Sequence, residues 1–222
     1  KLIPGKLYLT EPSILYKFGR KCVGKGVIVE IGSWKGKSTM LLARGSLRNS
    51  NSKIYAVDTF EGTKENSNKK IDTLQDFKKN IKKSDIDNLV KPIVGFSSDI
   101  SKNFNEPIEI LFIDGDHSYE GVIKDIENCT PKLIENGWVL FHDTTNKEVM
   151  KAVKEKIINS KDFSKIGFAG SIIFAQKKKG SNLEKITTKY FIAPLMNRLI
   201  NSWKVMPEKV KCLLRKKRND GG

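Results

Sequence analysis

Two short stretches of this 222-residue chain put carboxylates and imidazoles side by side. Phe112-Ile113-Asp114-Gly115-Asp116-His117-Ser118-Tyr119 and Leu140-Phe141-His142-Asp143-Thr144-Thr145 hold the chain's two histidines, each beside an aspartate and each after an apolar run. A lone histidine is more often structural, but two of two in this setting point to function. Two carboxylates plus an imidazole suit a divalent cation such as Mg²⁺ or Mn²⁺, with water or substrate in the other positions. Asp114, His142 and Asp143 are therefore the candidate metal ligands.

A third stretch, Glu30-Ile31-Gly32-Ser33-Trp34-Lys35-Gly36-Lys37-Ser38-Thr39, follows a β-branched run. Gly32 allows a tight turn and close backbone approach to a ligand, and Gly36 permits close packing as a helix begins. The spacing is neither a dinucleotide fingerprint, since Trp34 stands where the middle glycine belongs, nor a P-loop, which needs four residues between its glycines. Read alone, the stretch is also an ordinary glycine-containing turn. Asp58 lies 26 residues beyond Gly32 at the end of the next apolar run. There a carboxylate can accept from two ribose hydroxyls, or simply cap a helix. Ser97-Ser98-Asp99 suits either an adenine edge or ordinary N-cap chemistry.

These residues need a frame that gathers them. Short apolar runs alternate with helical patterns. Strands are expected at 27–31, 53–58, 91–96, 108–113 and 137–141, and helices at 10–20, 38–47, 71–82, 119–134 (with a break at Pro131) and 147–158. Runs at 163–168 and 171–175 around Ala169-Gly170 read as a closing antiparallel pair. The fold class is α/β: a Rossmann-like, doubly wound, seven-stranded sheet, mostly parallel with a C-terminal antiparallel hairpin, and helices on both faces. Ligands of such sheets bind at the carboxyl ends of the strands, where each candidate stands. Three segments are expected: an N-terminal helical cap (1–25), a catalytic domain (26–178) and a basic tail (179–222).

The stretch 27–143 resembles the metal-dependent O-methyltransferases, of both the catechol type and the macrocin-type sugar branch. The acid-x-Gly-x-x-x-Gly pattern, the Asp-Gly-Asp-His-Ser-Tyr-Glu segment and the His-Asp-Thr ending carry the resemblance. It implies a class I enzyme using S-adenosylmethionine, with Glu30, Gly32, Ser33, Trp34, Gly36, Ser38, Asp58, Thr59, Ser98, Asp99 and Asp114 around the cofactor. Asp114 matches the first metal aspartate, and His142-Asp143 stands where the catechol enzymes carry Asp-Asn and the sugar enzymes Glu-Asp, so His142 departs from both patterns. His117 matches the position of the base, three residues after the metal aspartate; with Asp114 it forms the expected catalytic pair. The implied reaction is in-line methyl transfer to a hydroxyl oxygen of a small-molecule or sugar acceptor. The alternatives are an RNA or protein methyltransferase on the same fold, and a non-catalytic scaffold that keeps the fold; no Asn-Pro-Pro-Tyr-type motif of amino-methylating enzymes is present.

The net charge of +16 is concentrated in the tail: residues 177–222 hold 13 of the 41 Lys+Arg but 3 of the 25 acids. The charge is thus no argument that the catalytic body binds nucleic acid, which is not the expected partner. Phe191, Ile192, Leu195, Met196, Leu199, Ile200 and Trp203 recur at helical spacing, suiting a core or homodimer surface. The basic residues beside them suit peripheral contact with anionic lipid. No apolar run approaches the ~20 residues that span a bilayer. The N-terminal residues carry no signal-peptide pattern, and the odd, widely spaced Cys22, Cys129 and Cys212 read as buried thiols, so a cytoplasmic location is expected.

Overall fold

The computed structural model describes residues 3–8, 10–62 and 72–178. Its centre is set by two β-branched runs, Val27–Ile31 (β1) and Ile108–Ile113 (β4), every residue of which is buried. Ile54–Asp58 (β2), Val90–Val94 (β3) and Leu133–Phe141 (β5) run parallel to them. Phe163–Ala169 (β6) and Ile172–Lys177 (β7) close the sheet antiparallel, in the order β3-β2-β1-β4-β5-β7-β6. This is the Rossmann-like doubly wound sheet expected.

Alternation along each strand divides the core into two layers. Ile28, Ile54, Ala56, Ile110, Phe112 and Leu140 face the helices Glu11–Lys21 (α1), Lys37–Ser46 (α2) and Leu74–Lys83 (α3), through Leu15, Phe18, Leu42, Phe77 and Ile81. Val29, Ile31, Val57, Leu111, Ile113 and Phe141 face Ser97–Asn103 (α4), Tyr119–Cys129 (α5) and Lys147–Val153 (α6), through Ile100, Val122, Ile126, Val149 and Val153. Cys22 and Cys129 are buried free thiols, and burial raises both pKa values. Among the described residues no helix is long and apolar enough to cross a membrane.

The differences from expectation have local causes. Proline lacks the N–H that would continue a helix, so Pro131 ends α5 early in a 3₁₀ turn, and β5 begins at Leu133 instead of 137. The helix expected at 147–158 is α-helical to Val153 and continues as one π turn, Lys154–Ile158. The helix α4 was not expected. Residues 63–71, Cys212 and the tail, with its expected dimer and lipid contacts, lie outside the described residues.

Two features position the site. First, the parallel ladder continues past the strand ends. Gly32 N donates to Val57 O (2.9 Å), Asp114 N to Ile31 O (2.8 Å) and His142 N to Ile113 O (3.0 Å). The loops after β2, β1, β4 and β5 therefore leave the sheet at one level. Second, buried Glu109 of β4 anchors the link between α1 and β1. Its Oε1 accepts from Val23 N (2.8 Å), and its Oε2 accepts from Lys25 N (2.9 Å) and Gly26 N (3.2 Å). Three otherwise unpaired amides are satisfied by one carboxylate, which ties α1 to the sheet.

Candidate functional site

The loop after β4 is built to suspend an imidazole. The Asp116 carboxylate accepts from Ser118 N (2.9 Å), and the Ser118 hydroxyl caps α5 by accepting from Gly121 N (3.1 Å). His117, held between that cap and Asp114, is partly exposed. Its Nε2 lies 3.7 Å from Asp114 Oδ1 and 3.5 Å from Asp143 Oδ2. One ligand atom from each of Asp114, His117 and Asp143 lies within 4.8 Å of the other two. Two carboxylate oxygens and one imidazole nitrogen at this spacing fit a divalent cation such as Mg²⁺ or Mn²⁺. The Asp114 carboxylate beside it outweighs the opposing pull of burial, and with Asp143 it holds His117 above the ordinary histidine value.

His142 departs from its expected place. Its side chain is 3% exposed and both ring nitrogens face carboxylates: Nδ1 lies 2.9 Å from Asp114 Oδ1 and Nε2 lies 3.1 Å from Glu11 Oε2. An imidazole engaged at both nitrogens has no lone pair for a cation. His117, expected as the base, stands beside Asp114 and Asp143 in the same cluster. Burial alone would lower the His142 pKa, but Asp114, Glu11 and Asp143 together raise it to about 11. Burial likewise raises Asp114 and Glu11, yet the His142 charge leaves both below the ordinary carboxylate range.

The glycine loop lies alongside. Gly32 (φ 86°) approaches the Asp114–Gly115 backbone so closely that a Cβ would stand 2.0 Å from Asp114 O. Asp58 braces this loop, its Oδ2 accepting from Trp34 N (2.7 Å) and its Oδ1 from Phe60 N (2.7 Å). Each oxygen keeps acceptor capacity for a ribose hydroxyl. Glu30 of β1 is fully buried; burial, opposed by the Ser38 and Thr39 hydroxyls, raises its pKa to about 7. Glu30 Oε1 and Ser33 Oγ are buried without hydrogen-bond partners. Buried orphan oxygens beside a loop of close backbone approach are what a polar cofactor would satisfy. Thr59 lies at the β2 end near Asp58, with its Oγ1 accepting from Glu61 N (3.4 Å). Asp99 accepts from Phe96 N (2.8 Å), which commits this carboxylate to starting α4 beside Ser98.

Some backbone strain falls in the same place. Trp34, Phe60 and Asp143 have φ of 43°, 57° and 50°, directly after β1, β2 and β5. Bulky residues such as Trp34 and Phe60 seldom adopt such angles; Asn51, Asp85, Asn136 and Lys165 share positive φ elsewhere in the chain. Glu11 escaped the sequence reading because an acid beside Pro12 reads as a helix start. A signal was present: Glu11 lies four residues before Leu15 on the face that Leu15, Phe18 and Cys22 bury.

Comparison with known proteins agrees with this frame. The sequence model of the family described as methyltransferase domain matches residues 29–144. An O-methyltransferase from Bacillus cereus, solved in complex with SAH, is 18% identical with a TM-score of 0.61, over 79% of this chain and 84% of that one. The O-methyltransferase NovP is 18% identical with a TM-score of 0.58, over 73% and 79%. An rRNA methylase from Streptococcus thermophilus is 15% identical with a TM-score of 0.54, over 78% and 99%. At these identities the likeness is one of fold.

Proposed function

This chain belongs to the methyltransferase-domain family, and on that premise we propose that it transfers the methyl group of S-adenosylmethionine to a hydroxyl oxygen of a small-molecule or sugar acceptor, assisted by a divalent cation. The observation that carries this reading is the convergence of Asp114, His117 and Asp143 beside the Gly32 loop. The Bacillus cereus O-methyltransferase bound to SAH shares the fold and supports it. Acceptor oxygen is favoured over a base nitrogen because two carboxylates and an imidazole suit a cation and a hydroxyl proton.

The cofactor would supply a sulfonium methyl group that transfers readily once aligned with the acceptor oxygen. Gly32, Asp58 and the orphan oxygens of Glu30 and Ser33 would hold it, Asp58 as acceptor for ribose hydroxyls. A divalent cation, held by Asp114 and Asp143, would lower the pKa of an acceptor hydroxyl and orient it. His117 takes the hydroxyl proton on its imidazole, the most exposed ring at the site. A second reading has His117 as the third ligand of the cation, favoured by its place in the same cluster.

Titration calorimetry should detect S-adenosylmethionine binding, and EDTA should suppress turnover with hydroxylated acceptors. No binding at millimolar cofactor sinks the proposal, and undiminished turnover in EDTA removes the cation. A His117→Asn variant separates the two roles. As base, His117 must be neutral, so wild-type turnover should fall as pH drops through the His117 pKa, which Asp114 and Asp143 raise in the cation-free site and a cation bound to them would lower. The variant should lose this limb and roughly 10²–10⁴-fold in rate while keeping Mn²⁺ affinity. An affinity loss of tenfold or more would instead assign it as a ligand.

A further inference from the structure

The family match begins at residue 29, yet a buried side chain from α1, well before that point, reaches the site. Glu11 is fully buried and spends its carboxylate on three elements. Oε1 accepts from Ser171 N (2.7 Å) and Ser171 Oγ (2.8 Å) at the turn before β7. Oε2 accepts from Tyr8 N (2.6 Å) and faces His142 Nε2 at 3.1 Å. The other His142 nitrogen faces Asp114 Oδ1 at 2.9 Å. Glu11, His142 and Asp114 thus form one line of hydrogen bonds, buried at the Glu11 end and opening at Asp114, which is 22% exposed.

We infer that Glu11 is a positioning residue: acting through the His142 ring, it fixes the carboxylate of Asp114 in the orientation that the cation and the acceptor require. A carboxylate rotates freely unless one oxygen is tied. Here Nδ1 ties Oδ1, and the ring can do so only because Nε2 is itself held by Glu11. The ring cannot turn without losing both bonds in a place without solvent to replace them. Glu11 in turn cannot follow a moving ring, since two backbone amides and a hydroxyl hold it, and Glu109 fixes the α1 end to the sheet. The N-terminal helix is therefore part of the site's support. The same arrangement accounts for a histidine at a strand end that otherwise carries metal-binding oxygens in the families this chain resembles. His142 is a partner one bond behind a ligand, a kind that typically contributes roughly 10–100-fold in metal affinity, and Glu11, one bond further back, holds it in place.

This inference rests on Asp114 as a cation ligand, so the test separates the two. Glu11→Gln keeps the size and the Ser171 contacts but offers His142 a different partner. In the full chain with S-adenosylmethionine present, Mn²⁺ affinity measured by electron paramagnetic resonance should fall at least tenfold. Turnover at saturating Mn²⁺ should fall as well, with cofactor affinity unchanged. Wild-type chain that takes up no Mn²⁺ overturns the ligand assignment itself. Wild-type uptake matched by undiminished uptake in folded Glu11→Gln overturns the role of Glu11 alone. Should that variant fail to fold, the wild type still decides. With two histidines in the chain, ¹⁵N-imidazole spectra resolve each ring. His142 should show a hydrogen-bonded N–H at both nitrogens, and both should shift when Mg²⁺ is added. A ring whose Nε2 shows no hydrogen bond, or one blind to Mg²⁺, overturns the proposal.

Discussion

Asp114→Asn should lower turnover by roughly 10³-fold while leaving the fold intact. The side chain stands at the crossing of every interaction in the site. Oδ1 faces His142 Nδ1 at 2.9 Å and His117 Nε2 at 3.7 Å, and the carboxylate completes the three-residue cluster with Asp143. Asparagine retains an oxygen for the His142 bond, so folding should lose only about 1–2 kcal/mol, the difference between a charged and a neutral acceptor. What it cannot retain is the negative charge. A neutral amide oxygen is a poor ligand for Mg²⁺ or Mn²⁺ beside one remaining carboxylate, and the cation should be lost at the concentrations that saturate the wild type. Thermal unfolding, Mn²⁺ titration and single-turnover rates measured on one preparation check all three statements. Wild-type turnover in folded Asp114→Asn would remove this residue from the chemistry.

How much of this was legible beforehand depends on whether the cause was local. The runs 27–31 and 108–113 were bounded correctly because five or six consecutive buried positions leave no other reading for so many β-branched residues. The helix α4 was not legible. Its sequence Ser-Ser-Asp-Ile-Ser-Lys-Asn has low helical propensity and one apolar residue. It is held from outside, by Ile100 in the core and by Asp99 accepting from Phe96 N. The site divides the same way. Asp114, His117 and Asp143 are readable as one group because the first two follow β4 and the third follows β5, and parallel register brings these neighbouring strand ends together. The partner of His142 was not found, because Glu11 is 131 residues away and nothing near either residue records the pairing. The burial of His142 between Asp114 and Glu11 has the same origin. Sequence places both rings at the site, but only packing decides which is buried between two carboxylates.

Gly32→Ala should be the most damaging small substitution for stability, and Gly36→Ala shows why this is more than a general intolerance of alanine. Both glycines have φ of 86°, where a side chain costs roughly 1–2 kcal/mol. At Gly36 a Cβ would meet the ends of the Phe77 and Ile81 side chains at 3.1 and 3.2 Å, which can yield by a few tenths of an ångström. At Gly32 it would stand 2.0 Å from Asp114 O, 2.4 Å from Asp114 C and 2.8 Å from Gly115 N. All three are backbone atoms in the ladder between β1 and β4, so the loops must part by more than an ångström. That movement strains the bond from Asp114 N to Ile31 O and carries Asp114 away from Asp143. Overpacking of this kind adds roughly 1–3 kcal/mol to the cost of the dihedral, a total of about 2–5 kcal/mol. At this chain length that corresponds to a fall of about 10 °C in Tm, against about 4 °C for Gly36→Ala. An ångström of misplacement at the chemistry also costs on the order of 10²-fold in rate, so Gly32→Ala should lose activity even where it remains folded. Equal Tm and equal Mn²⁺ affinity in the two variants would show that the approach of Gly32 to Asp114 does not set the geometry of the cluster. A separation in both would tie the glycine loop and the carboxylate cluster into one mechanical unit, in which Gly32 sets the distance of the β4 end from its neighbours.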